Sequence, residues 1–177
     1  GSKISLKKYK IAEDLLKTNI EKINNIKYDV DKLTNTDFEK FYNDNKKLSK
    51  EQLKAINLIL KYNIIGVIGK GGSGKTSWVI NKLCEYLIDI DGNENILFLA
   101  PTHAAKKKGN MELLKLSKNV SFDTIHSVIC KYMLYETEEL TSRLNESLKK
   151  GLKYIIIDEM SMVDLITFSR FMDICKD

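Results

Sequence analysis

Apolar and polar residues fall into two regimes along this chain. From Lys3 to about Lys47 the residues are mainly Lys, Asn and Ile, and Ile11, Leu15, Ile23, Ile26, Val30 and Leu33 recur with a broadly helical period. The pattern predicts one long or broken helix. Thr36-Asp37-Phe38-Glu39 then fits a capping box opening a short second helix that buries Phe38, Phe41 and Tyr42. After Asn43-Asp44-Asn45 the pattern changes, and from residue 48 short apolar runs alternate with helical stretches. The expected elements are a helix near 50–62, a strand at Ile64–Ile68, a helix from about Lys75 to Ile90 and a strand at Ile96–Ala100. A short strand near Val120–Phe122, helices near 123–135 and 138–150, a strand at Tyr154–Ile157 and a helix near 162–175 follow. Alternating strand and helix predicts an α/β fold, a parallel sheet with helices on both faces in three layers.

A chain of 177 residues holds one domain with a real core and a modest appendage. The division expected is a helical N-terminal extension over 1–47 and a larger α/β domain over 48–177. Gly1-Ser2 reads as the scar of a cleaved tag, and the first residues lack the apolar stretch of a secretory signal. No apolar run approaches the roughly 20 residues of a membrane span. Cys84, Cys130 and Cys175 are widely spaced and form no CxxC pair, which suits buried thiols in a reducing, cytoplasmic compartment better than disulfides or a metal site. The net charge of +5 comes almost wholly from lysine, since Arg143 and Arg170 are the only arginines. Lysines offer point charges suited to a phosphate backbone more than to base edges, and they also merely solvate surfaces, so position has to decide.

Gly69-Lys70-Gly71-Gly72-Ser73-Gly74-Lys75-Thr76 fits GxxxxGK[ST] between an apolar run and an amphipathic stretch. In that setting successive backbone N–H groups turn inward around a β-phosphate, helped by the positive end of the following helix. Lys75 is expected to reach the β- and γ-phosphates, and Thr76 to bind Mg²⁺ through its hydroxyl. A second metal ligand is expected nearby. Tyr154-Ile155-Ile156-Ile157-Asp158-Glu159 supplies an apolar strand ending in two acids, the Walker B arrangement. Asp158 would hold the metal and Glu159 would polarise the attacking water as general base. The same acids could simply lead into the next helix, for which Ser161-Met162-Val163-Asp164 looks like a cap. Gln52 has two readings as well: its amide could read an adenine edge, or, three residues after Ser49, close a capping box.

Taken in order, Leu48-Ser49-Lys50-Glu51-Gln52, the P-loop, Ala100-Pro101-Thr102-His103-Ala104-Ala105, Asp123-Thr124-Ile125-His126-Ser127 and Ile157-Asp158-Glu159-Met160-Ser161-Met162 resemble the Q motif and motifs I, Ia, Ib and II of superfamily 1 DNA helicases. The nearest resemblance is to the RecD and Dda branch, which moves 5′ to 3′ on single-stranded DNA. It covers roughly residues 48–175, and its specificity rests on the set of motifs. It implies a RecA-like P-loop domain that binds ATP and Mg²⁺ through Gln52, Gly69, Gly71, Gly72, Ser73, Gly74, Lys75, Thr76 and Ser77, with Lys75, Asp158 and Glu159 as catalytic groups. It also implies that Pro101, Thr102, His103, Lys106, Thr124 and His126 meet single-stranded DNA, beside the positive charge of Lys107 and Lys108. Several of these have a plainer competitor: His103 as a helix cap, His126 as a core histidine, the three lysines as a solvated face.

Two departures bear on what the resemblance implies. Residues 130–152 read mostly helical where this branch often inserts a strand-separating β-hairpin. The sequence also ends about eighteen residues after Glu159, before motif III and motifs IV to VI, so slow hydrolysis and no unwinding are expected of this stretch alone. The full motor would need a second RecA-like domain. RNA in place of DNA, and a P-loop regulatory module that docks a protein partner through its N-terminal helices, are the alternatives.

Overall fold

The computed structural model describes residues 2–26, 40–41, 43–44, 48–58, 62–69, 79–105, 107, 120–134 and 152–175. The chain forms two compact units, one of Gly1–Ile23 with Asn93–Asp177, the other of Asn24–Gly92.

The first unit is built on three strands: β1 (Ile96–Ala100), β2 (Ser121–Thr124) and β3 (Tyr154–Ile157). The sheet order is β2-β1-β3 and both pairings are parallel. Its centre is the most apolar segment, Ile96-Leu97-Phe98-Leu99-Ala100, in which all but Leu97 are buried. A continuous apolar run covered on both faces is what a central parallel strand requires. Phe98 lies opposite Phe122 on β2 and Ile156 on β3, and the Phe98 and Phe122 rings stack obliquely at 4.8 Å between centroids. Helix α4 (Ile125–Leu134) follows β2 directly and packs on both β2 and α5 (Leu165–Cys175). The result is the α/β architecture that the resemblance implies, a parallel sheet with helices, preceded by an N-terminal helix, α1 (Ser2–Asn24).

On α1 the buried positions are Ala12, Asn19 and Ile23, spaced 7 and 4 residues apart. Ile11, Leu15 and Ile26, read from the pattern as part of the apolar period, are instead exposed. One small and one polar side chain take the packed face because Asn19 is bonded there: its Nδ2 donates to Asp173 Oδ1 on α5 at 3.1 Å. Val30, Leu33, Phe38 and Tyr42 lie outside the described residues.

The second unit holds α2 (Lys50–Asn57) and α3 (Asn81–Asp91). Leu53, Ile56, Cys84, Tyr86 and Leu87 are buried in it, and Phe41 packs against Tyr86 at 4.9 Å. Gly92, at φ 89, ends α3 with its N–H donating to the Ile88 carbonyl, a backbone setting that favours glycine. The strand expected at Ile64–Ile68 does not form. Residues 64–69 run without sheet pairing, and Val67 and Ile68 are exposed, Ile68 almost completely. All three strands belong to the other unit, so among the described residues of this unit no ladder exists for the β-branched run to join; β propensity is realised only through a neighbour.

Helix boundaries moved for local reasons. The last helix begins at Leu165 because Asp164 caps it, accepting bonds from the N–H and the hydroxyl of Thr167. Residues 138–150, where a helix stood in place of the wedge hairpin, are outside the described residues.

Candidate functional site

Because the three strands are parallel, their carboxyl ends share one edge of the sheet, where ligands of open α/β sheets collect. Ala100 pairs with Thr124 and Leu99 with Ile157, so the chain leaves the sheet at nearly one level in all three strands. Three sequence-predicted groups therefore emerge together: Pro101–His103 after β1, Thr124 and His126 at the β2–α4 junction, and Asp158–Glu159 after β3.

The acidic pair is held tightly by backbone. Asp158 donates its N–H to the Leu99 carbonyl at 3.1 Å, and its Oδ1 accepts the Glu159 N–H at 2.8 Å. Glu159 adopts φ 55 and ψ 38, the one described non-glycine residue with positive φ, and its carbonyl then accepts the Met162 N–H to start a 3₁₀ turn over Met160–Met162. A left-handed conformation costs an ordinary residue about 1–2 kcal/mol and calls for an explanation. Glu159 is exposed there, while Asp158 stays half-buried. One hard oxygen ligand beside an exposed second carboxylate suits Mg²⁺, which typically takes one or two protein carboxylates plus phosphate and water. The pair is distinct from the helix cap, which is Asp164.

At the end of β1, Thr102 Oγ1 accepts the Ala105 N–H at 3.2 Å, so Thr102, and not His103, caps the short helical segment at 103–105. His103 and Lys107 are exposed and Pro101 is half-buried. Lys106 and Lys108 lie outside the described residues. At the end of β2, Thr124 is buried and its Oγ1 accepts the Ser127 N–H at 3.1 Å, capping α4. His126 is exposed, which removes the core-histidine reading.

Asp123 was not singled out from sequence. Its carboxylate accepts the Thr124 N–H at 2.8 Å, the Ser127 hydroxyl at 3.0 Å and the Lys131 ammonium. Burial pushes the carboxyl up, and these bonds, with Lys131 foremost, outweigh it and hold its pKa down at about 2. The signal was present as Asp123, Ser127 and Lys131 at four-residue intervals across a strand–helix junction.

In the other unit, Ser49 and Gln52 close a reciprocal capping box: the Gln52 N–H donates to Ser49 Oγ at 3.2 Å and the Ser49 N–H to Gln52 Oε1 at 2.9 Å. The capping reading of Gln52 is therefore realised. Gly69 is exposed, and Gly71, Gly72, Ser73, Gly74, Lys75, Thr76 and Ser77 lie outside the described residues.

An AAA-domain family profile matches residues 52–177. The chain is also 31% identical over 136 residues to the uncharacterized protein MJ1519 of Methanocaldococcus jannaschii, a stretch that is 71% of this chain and 11% of that protein. The chain thus spans about a tenth of the length of this curated relative. No solved structure matches it.

Proposed function

Because the chain belongs to the AAA-domain family of P-loop NTPases, of the kind found in UvrD/Rep/RecD-like helicases, we propose that it is the ATP-binding part of a superfamily 1 motor that couples hydrolysis to 5′-to-3′ movement on single-stranded DNA, in the manner of RecD and Dda. The observation that carries the reading is the common edge at which β1, β2 and β3 release motifs Ia, Ib and II.

In this reading Lys75 and the P-loop amides hold the β- and γ-phosphates, and Thr76 and Asp158 hold Mg²⁺, which supplies charge neutralisation at the phosphoryl oxygens. Glu159, exposed and on a left-handed backbone, takes the proton of the attacking water. Asp158, fixed to Leu99, keeps the metal ligand at constant height above the sheet. His103 and His126, exposed at the ends of adjacent strands, meet bases or backbone of the single strand, and Lys106 and Lys107, which follow His103 in the sequence, add positive charge. Thr102 and Thr124 support them as caps. Gln52, which closes the capping box of α2, is also the group proposed to read the adenine edge. The free thiols of Cys84, Cys130 and Cys175 favour a reducing, cytoplasmic setting, and among the described residues no helix is long and apolar enough to cross a membrane.

A second reading has its own observation. Leu6 and Ile11 on α1 are 70% and 58% exposed, a surface that a protein partner of a regulatory P-loop module could cover. ATPase assays on the full-length protein with single-stranded DNA, RNA or neither separate the possibilities. Activation by DNA above RNA supports the motor reading, equal or greater activation by RNA redirects it to an RNA motor, and turnover indifferent to both overturns it. Lys75→Ala is expected to abolish Mg-nucleotide binding; retained affinity would remove the P-loop from its role.

A further inference from the structure

We propose that Asp123 is a positioning residue, which clamps the first two turns of α4 to the end of β2 and thereby holds His126 in place to meet a single strand. The inference rests on the motor reading for its ligand, but its structural half stands on separate observations.

Asp123 sits where a strand becomes a helix without an intervening loop: β2 ends at Thr124 and α4 starts at Ile125. Such a junction has the unsatisfied N–H groups of a helix start and nothing in the chain path to fix its direction. Three bonds from the Asp123 carboxylate supply that direction, to Thr124 N–H at the junction, to the Ser127 hydroxyl one turn on, and to Lys131 two turns on. The Asp123 side chain is 13% exposed and that of Lys131 47%, so the pair is shielded at the carboxylate and open at the ammonium. Thr124 adds a fourth tie through the Ser127 N–H. His126 lies between the anchored residues 124 and 127, exposed. A first-turn side chain on a frayed helix would lose much of its freedom only on binding; with the helix start clamped, that ordering is already done.

A bare electrostatic view makes the opposite forecast. A carboxylate near a polyanion repels it, and Asp123 also neutralises Lys131, so removing the charge should tighten nucleic-acid binding. The two accounts therefore differ in sign.

The test uses the whole chain and a fluorescein-labelled oligodeoxythymidine, with affinity measured by anisotropy over a range of salt. Under the clamp, Asp123→Asn weakens binding about tenfold, His126→Ala weakens it similarly, and the double variant is scarcely weaker than His126→Ala alone, the non-additivity expected of coupled sites. Lys131→Met should also weaken binding with an unchanged salt slope, whereas a slope lower by about one would make Lys131 a direct phosphate ligand and overturn the clamp. Tighter binding by Asp123→Asn, or additive losses in the double variant, would likewise overturn it. The imidazole NMR signal of His126, assigned by its loss in His126→Ala, gives the ligand-free readout: it should broaden or split in Asp123→Asn and in Lys131→Met. If the native chain holds no oligonucleotide, the motor reading falls, and an unchanged His126 signal in both variants would still overturn the clamp. Should Asp123→Asn fail to fold, Lys131→Met, altered at an exposed side chain, carries the same measurements.

Discussion

The Asp158 N–H donates to the Leu99 carbonyl at 3.1 Å, one residue beyond the end of β3. The ladder of the sheet thus reaches the first acid of the pair and stops there. Asp158 inherits the rigidity of β1, while the next residue leaves the sheet with φ 55.

That abrupt change separates stability from chemistry at Glu159. Glycine adopts the left-handed region freely but loses more freedom on folding, so Glu159→Gly should stabilise the chain by about 0.5–1 kcal/mol, net of the two effects. Glu159→Gln keeps the backbone residue and should leave stability nearly unchanged. Both should stop turnover in the full-length protein while sparing nucleotide binding. Urea melts and single-turnover assays check this; normal turnover in Glu159→Gln would remove the residue as the base.

Gln52 offers a substitution that divides its two roles. A glutamate there can still accept the Ser49 N–H and preserve the box, yet it loses the amide donor. Gln52→Glu is expected to keep the capping box and to lose preference for ATP over GTP. Ser49→Ala removes the cap from α2 and should cost about 1 kcal/mol without changing that preference. Equal base preference in Gln52→Glu and native protein would leave Gln52 with its structural role alone.

What the sequence carried plainly was whatever depends on short-range pattern. The runs Ile96–Ala100 and Tyr154–Ile157 became strands with the expected bounds, since an unbroken apolar pentad or tetrad before a polar turn has few other uses. The capping box at Ser49 and Gln52 was equally legible, because both partners lie within one turn. Ile64–Ile68 was read as a strand on the same grounds and is not paired, as composition does not say whether a neighbouring ladder exists. The face of α1 was misjudged because Asn19, bonded to a residue 154 positions away, replaced an apolar contact. Asp123 went unnoticed for a related reason: its importance lies in partners brought together across a strand–helix boundary, where neither the period of 2 nor that of 3.6 applies.

The Asp123 carboxyl also makes a pH forecast. Its folded pKa of about 2 lies below the ordinary value of 3.8, so its contribution is present above pH 4 and is lost as pH falls from about 4 towards 2. Because the Lys131 ammonium is open to solvent, screening keeps the stability gained below what the shift alone would give. Denaturation followed at pH 5 and pH 2.5 should show a smaller acid loss in Asp123→Asn than in the native chain. Equal losses would mean that the carboxylate gains nothing from Ser127 and Lys131. Asp164, held low first by the Thr167 hydroxyl, is altered in neither chain, so its part cancels from the comparison.

The tie between α1 and α5 concerns how the N-terminal helix serves the sheet unit. Asn19 is 1% exposed and its amide meets the carboxylate of Asp173, on the helix that follows the acidic turn after β3. A hydrogen bond to a charged acceptor is commonly worth about 1.5–3 kcal/mol, so Asn19→Ala should destabilise by that order. Asn19→Asp is the sharper test. It keeps the size of the side chain but sets a second carboxylate within bonding distance of Asp173, and like charges in such a place destabilise until one is protonated. The variant should therefore be weaker than Asn19→Ala at pH 7 and regain stability as pH falls towards 5, where a shared proton restores the bond. Melting temperatures of both variants at the two pH values measure this. A flat profile for Asn19→Asp would mean that α1 is held on α5 by its apolar neighbours alone.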